Sequence, residues 1–120
     1  MAKKILLIED DLDIQRIYRE KLTGAGFEVI LASDAPNGLT AIKGGGVNLI
    51  LLDIMLPGTM NGFELLEIIK KDSKFGSTPI IIMTNLDTEY GQAEKLGVSD
   101  YLIKANTSLA DLVEKVKKLT

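Results

Sequence analysis

Five side chains able to do chemistry each follow an apolar run. Glu9 and Asp10 come directly after Ile5 to Ile8, Asp53 after Leu49 to Leu52, Thr84 after Ile80 to Met83, and Lys104 after Tyr101 to Ile103. If the runs are strands of one sheet, these groups meet on one rim: carboxylates, a hydroxyl and an ammonium. That makes a cation site facing an anion site, with Asp53 between them. The stretch LIEDDLD sharpens the point, because Glu9, Asp10, Asp11 and Asp13 crowd like charges at the end of an apolar strand. Burying any of them unpaired is expensive, so something positive must gather them or water must take them. Taken singly, each has a blander reading. Asp11 suits a helix cap, Asp53 an Asx turn before Pro57-Gly58, and Thr84 or Lys104 alone would be unremarkable. Their coincidence on one edge favours a site.

The elements that must position them can be read from periodicity. A fifth apolar run, Phe27 to Leu31, joins the four above, and runs that are apolar throughout suit parallel strands buried on both faces. Between them lie helical stripes. The first carries Ile14, Ile17, Tyr18 and Leu22 and stops at Gly24 and Gly26. Asp34 can cap a second, with Leu39 and Ile42, that ends at Gly44-Gly45-Gly46. Asn61 with Glu64 reads as a capping box for a third, with Phe63, Leu66 and Ile69. Thr88 to Leu96 is a short fourth before Gly97. Ser108 and Asp111 open the fifth, striped by Leu109, Leu112, Val113, Val116 and Leu119. Strand and helix alternating in this way predict an open α/β sheet with helices on both faces, in one of a few doubly wound forms. No internal repeat, low-complexity tract or linker interrupts the chain, so residues 1–120 read as one domain.

Composition narrows the chemistry. The chain has 120 residues, a net charge of −3, no Cys and no His. The commonest general base and the commonest zinc ligands are therefore missing, and carboxylates, hydroxyls and lysines must do the work. Such oxygen donors suit only a hard cation. No basic stripe suggests nucleic acid and no polybasic segment a membrane. The apolar run after Met1-Ala2-Lys3-Lys4 is far too short for a signal peptide, so a cytoplasmic location is expected.

The stretches ILLIEDD, LILLDIMLPGTMNGFELL, PIIIMTN and DYLIK occur in order over essentially the whole chain. Together they resemble the receiver domain of bacterial two-component response regulators, of the single-domain chemotaxis-regulator kind. The resemblance implies a flavodoxin-like, doubly wound, five-stranded parallel sheet in the order 2-1-3-4-5 with five helices on two faces. It implies that Asp53 is the phosphoacceptor. Glu9, Asp10, Asp53 and the main-chain carbonyl of Met55 would hold Mg2+, or alternatively Mn2+, with Glu9 acting largely through water. Thr84, the main-chain N–H of Asn85 and Lys104 would bind the phosphoryl group, with the Met55 N–H completing the cradle. Thr84 and Tyr101 would form the switch that alters the helix 4/strand 5/helix 5 surface. The implied partners are a sensor histidine kinase or phosphotransfer protein and an unidentified downstream effector. The resemblance also implies homodimerisation on phosphorylation, and a role as a signalling switch rather than an enzyme.

The sequence departs from the family in places. Ala105 follows Lys104 where the family usually has Pro, often after a cis bond. A cis bond before Ala costs about 3–4 kcal/mol, so either that strain is kept to aim Lys104 or the bond is trans; the expectation leans to cis. Lys104 lies 20 residues after Thr84 (104 − 84), a short gap that predicts a stunted fourth helix. Met55 and Leu86 stand two residues beyond Asp53 and Thr84, and apolar side chains there should shield an acyl phosphate from water. A phosphatase of the haloacid-dehalogenase type would need a second Asp at position 55, and a dinucleotide enzyme a glycine-rich turn after the first strand. Neither is present. The alternative that remains is a phosphorylation-independent pseudo-receiver that binds protein partners. An effector domain beyond Thr120 is left open.

Overall fold

A strand that is apolar throughout must divide its side chains between two layers, because successive residues point to opposite faces. The computed structural model, which describes residues 2–86 and 88–120, shows that division. Its strands are β1 (Lys4–Ile8), β2 (Glu28–Ala32), β3 (Leu49–Leu52), β4 (Ile80–Thr84) and β5 (Asp100–Ile103). Helices α1 (Leu12–Gly24), α2 (Ala35–Lys43), α3 (Gly62–Lys71), α4 (Tyr90–Lys95) and α5 (Leu109–Leu119) alternate with them. The pairings are parallel and the sheet order is β2-β1-β3-β4-β5, as expected. Leu6, Ile8, Ile50, Leu52, Ile80 and Ile82 face Ile42 of α2, Leu65, Leu66 and Ile69 of α3, and Ala93 of α4. Ile5, Leu7, Leu49, Leu51, Ile81 and Met83 face Tyr18 and Leu22 of α1 and Leu112, Val113 and Val116 of α5.

Helix starts follow local chemistry. Asp11, Asp34 and Ser108 each accept backbone N–H bonds at the heads of α1, α2 and α5. Asn61 and Glu64 form the expected reciprocal box at α3. Three expectations need correction. In α1 it is Gln15, with Tyr18 and Leu22, that is buried, while Ile17 is 40% exposed. The spacing 15–18–22 fits the helical period as well as the Ile17 stripe does, and packing selects it. The fourth helix is shorter still than Thr88 to Leu96, because no side chain caps it and Ala93 is its only buried residue. Finally, every peptide bond among the described residues is trans, including Lys104–Ala105. A trans bond lets Lys104–Asn106 form one 3-10 turn, so the cis strain is not needed to aim the lysine. Among the described residues no helix is long and apolar enough to cross a membrane.

Candidate functional site

The switch in strand order falls between β1 and β3, since the chain adds β2 on one side of β1 and β3 on the other. Ligands in such sheets bind beyond the carboxyl ends at that point. The register pairs Ile8 with Leu52, so the next residues, Glu9 and Asp53, leave the sheet side by side. The Asp53 N–H donates to the Ile8 carbonyl at 3.0 Å, carrying the ladder one step further. Gly62 presses α3 against this corner: its N–H donates to the Ile54 carbonyl at 3.2 Å. A Cβ at Gly62 would lie 2.4 Å from Ile54 Cα and 2.8 Å from the Asp53 carbonyl oxygen, so only glycine permits the approach.

Lys104 reaches the same corner from β5, two strands away. Its ammonium donates to Asp53 Oδ2 at 2.7 Å and also to Glu9 Oε2. The remaining oxygens are engaged as well: the Met55 N–H donates to Asp53 Oδ1 at 2.9 Å, and the Asp11 N–H to Glu9 Oε1 at 3.1 Å. Glu9 is 2% exposed and Asp53 6%, so these are buried charges that are paired and hydrogen-bonded. Burial lowers the affinity of Lys104 for its proton, but the bonds from Asp53 and Glu9 outweigh this and hold its pKa above the ordinary 10.5. For Glu9, burial dominates and raises the pKa above 4.5, opposed by its bonds to Lys104 and to the Asp11 N–H.

The acidic side is open to a cation. One oxygen from each of Glu9, Asp10 and Asp53 lies within 4.8 Å of the others, with Asp10 at the exposed lip. An octahedral Mg2+ with bonds of about 2.1 Å sets its ligand oxygens roughly 3–4 Å apart. An all-oxygen cluster of this size fits that ion after a small adjustment.

Thr84 is fully buried, and its Oγ1 accepts the Leu86 N–H at 3.3 Å. The Leu86 carbonyl in turn accepts the Tyr101 hydroxyl, so a hydrogen-bonded path runs from Thr84 to Tyr101. The Tyr101 ring meets Tyr90 edge-on at 5.7 Å between centroids. Met55 is 54% exposed at the mouth of the site.

Some residues that shape the site were not identified in the sequence. Gln15 Nε2 donates to the Glu9 carbonyl and, at 3.1 Å, to Ser33 Oγ, tying the loop after β1 to the loop after β2. A polar residue on the Tyr18–Leu22 stripe was the available signal. The Asn85 carboxamide also accepts a bond, from the Ala105 N–H at 3.1 Å. No sequence pattern announces that contact.

Comparison with known proteins agrees with this geometry. Residues 5–117 match the response regulator receiver domain family. The transcriptional regulatory protein CusR of Escherichia coli K12 is 35% identical over 118 residues, covering 97% of this chain and 50% of CusR. YrkP of Bacillus subtilis, a transcriptional regulatory protein, is 38% identical over 106 residues, covering 87% of this chain and 44% of YrkP. A receiver domain protein described as CheY-like from Methanospirillum hungatei superposes with a TM-score of 0.88 at 34% identity, covering 99% of this chain and 94% of that one. The chain belongs to the receiver domains of two-component response regulators. It spans about half the length of the curated relatives it matches. Receiver domains are phosphoacceptor signalling switches that bind Mg2+ at an acidic pocket, and here Glu9, Asp10 and Asp53 form an acidic cluster.

Proposed function

We propose that Asp53 accepts a phosphoryl group from a phosphohistidine on a sensor kinase or phosphotransfer protein in the cytoplasm. The observation that carries this reading is the position of Asp53, held between the Lys104 ammonium at 2.7 Å and the carboxylate cluster. An Asp53 oxygen attacks phosphorus; the new P–O bond forms as the P–N bond breaks, and the imidazole leaves with its electron pair. Glu9, Asp10, Asp53 and the Met55 carbonyl would hold Mg2+, or Mn2+ in its place. When bound, the ion neutralises carboxylate and phosphoryl oxygens and relieves the repulsion built into LIEDDLD. Lys104 gives up part of its pairing with Asp53 to meet the incoming oxygens. The Met55 and Asn85 N–H groups complete the cradle.

Thr84 then turns its hydroxyl from the Leu86 N–H toward the phosphoryl group. The path through Leu86 carries that movement to Tyr101, biasing the α4/β5/α5 surface toward an effector or a second copy of the chain. Residues 1–120 act as one receiver domain in this reading. A partner-binding module that works without phosphorylation would not require these groups to converge, and Lys104 reaches Asp53 from a trans bond.

The test is intact mass after incubation with acetyl phosphate, with and without Mg2+. One added phosphoryl group that requires both Mg2+ and Asp53, and is lost in Asp53→Asn, is expected; an adduct that survives Asp53→Asn sinks the assignment. Exposed Met55 and half-buried Leu86 flank the site with apolar surface, which supports a slow hydrolysis of the acyl phosphate. A decay followed by mass that finishes within seconds would contradict this.

A further inference from the structure

We infer that the Asn85 carboxamide is a positioning residue for Lys104, capping from a neighbouring loop the turn that aims the ammonium at Asp53. This rests on the reading of Asp53 as phosphoacceptor. The register pairs Thr84 with Ile103, so Asn85 and Lys104 leave the adjacent strands β4 and β5 together. The chain after β5 at once makes the 3-10 turn Lys104–Asn106. The first N–H groups of such a turn have no partner within it and need one from outside. The residue before the turn, Ile103, has no polar side chain to supply it.

Asn85 Oδ1 supplies it instead, accepting the Ala105 N–H at 3.1 Å across the gap between the two loops. Thr107 holds the other end: its hydroxyl donates to the Ile103 carbonyl at 2.9 Å and its N–H to the Lys104 carbonyl at 3.4 Å. The Lys104 backbone is thus held on both sides before its long side chain reaches Asp53 and Glu9. The bond exists only because residue 105 has an N–H, which proline lacks. Because Asn85 adjoins Thr84, the same bond fixes the spacing between the buried hydroxyl and the ammonium. The carboxamide touches neither reacting atom and acts through the lysine.

The experiment compares wild type, Asn85→Ala, Lys104→Ala and the double variant. It reads the rate of adduct formation from acetyl phosphate over a Mg2+ titration, and Ala105 amide exchange by NMR. One exposed neutral hydrogen bond corresponds to about a two- to fivefold loss of rate. Asn85→Ala should show that loss at an unchanged half-saturating Mg2+ concentration, with faster Ala105 exchange. In the Lys104→Ala background it should add nothing to the residual rate. An unchanged Asn85→Ala rate, the same loss without Lys104, or an Ala105 amide that exchanges equally fast in both proteins overturns the inference. A wild type that takes no phosphoryl group overturns both this inference and the assignment of Asp53. A phosphorylated wild type with an unaffected Asn85→Ala overturns this inference alone.

Discussion

The rim where β1, β3 and β5 meet and the edge carrying α4 are neighbours in one sheet, yet they are held very differently. At the rim every oxygen of Glu9 and Asp53 has a donor, and the donors come from three separate segments. At the edge, α4 has six residues, no side-chain cap and one buried side chain, and it leaves Tyr90 exposed against Tyr101. Regions with few buried contacts open at lower free energy than the core beside them. A signal generated at an over-determined site is therefore expected to appear as movement in the weakly held element next to it.

The largest effect is expected at Gly62. Gly62→Ala drives a methyl group into the Ile54 and Asp53 backbone, and overpacking of this kind should cost about 3 kcal/mol. Urea unfolding should show that loss, with impaired phosphorylation in what remains folded. A neutral result would mean the corner is far softer than its contacts imply.

Lys104→Met comes next, leaving Glu9 and Asp53 buried without their cation. Removing one partner of a fully buried pair costs about 3–5 kcal/mol; with this rim open to water on one side, on the order of 2 kcal/mol is expected without Mg2+. The pH dependence follows from the raised pKa of Lys104, which means that the folded protein holds this proton more tightly than the unfolded chain does. Its contribution is fully present below the ordinary lysine pKa of 10.5 and is lost as pH rises through the raised value. The stability gap between wild type and Lys104→Met, followed by urea titration, should narrow in strongly alkaline solution as Lys104 loses its proton, and in acid as Glu9, whose pKa burial raises, takes one up. A gap that narrows as pH rises from 7 to 9 would point to a different group.

The smallest effect belongs to the edge. Tyr90→Ala should leave the urea midpoint and the phosphorylation rate unchanged while speeding amide exchange in α4, because it removes an exposed ring contact with Tyr101 and the hydroxyl's bond with Glu94 one turn on. Unchanged exchange would show that α4 is held by something other than this pair.

Much of the molecule could be read from the chain because its determinants are local. Apolar runs marked the strands to within a residue. Asp34, Asn61 with Glu64, and Ser108 announced their helices, since a cap needs only a side chain within a few residues of the N–H it accepts. The chemistry-bearing residues were legible as strand ends, and spacing alone placed Asp53, Thr84 and Lys104 on one rim. Tertiary structure decided what depends on distant partners. Packing turned Gln15 inward in place of Ile17, and the neighbouring strand's loop brought Asn85 to the Ala105 N–H. The trans bond after Lys104 permits the turn that contact helps to hold, and α4 starts at Tyr90 rather than Thr88, with no side chain to cap it. A local pattern fixes which groups a segment offers, but the partner that satisfies each group is chosen only when the strands are set side by side.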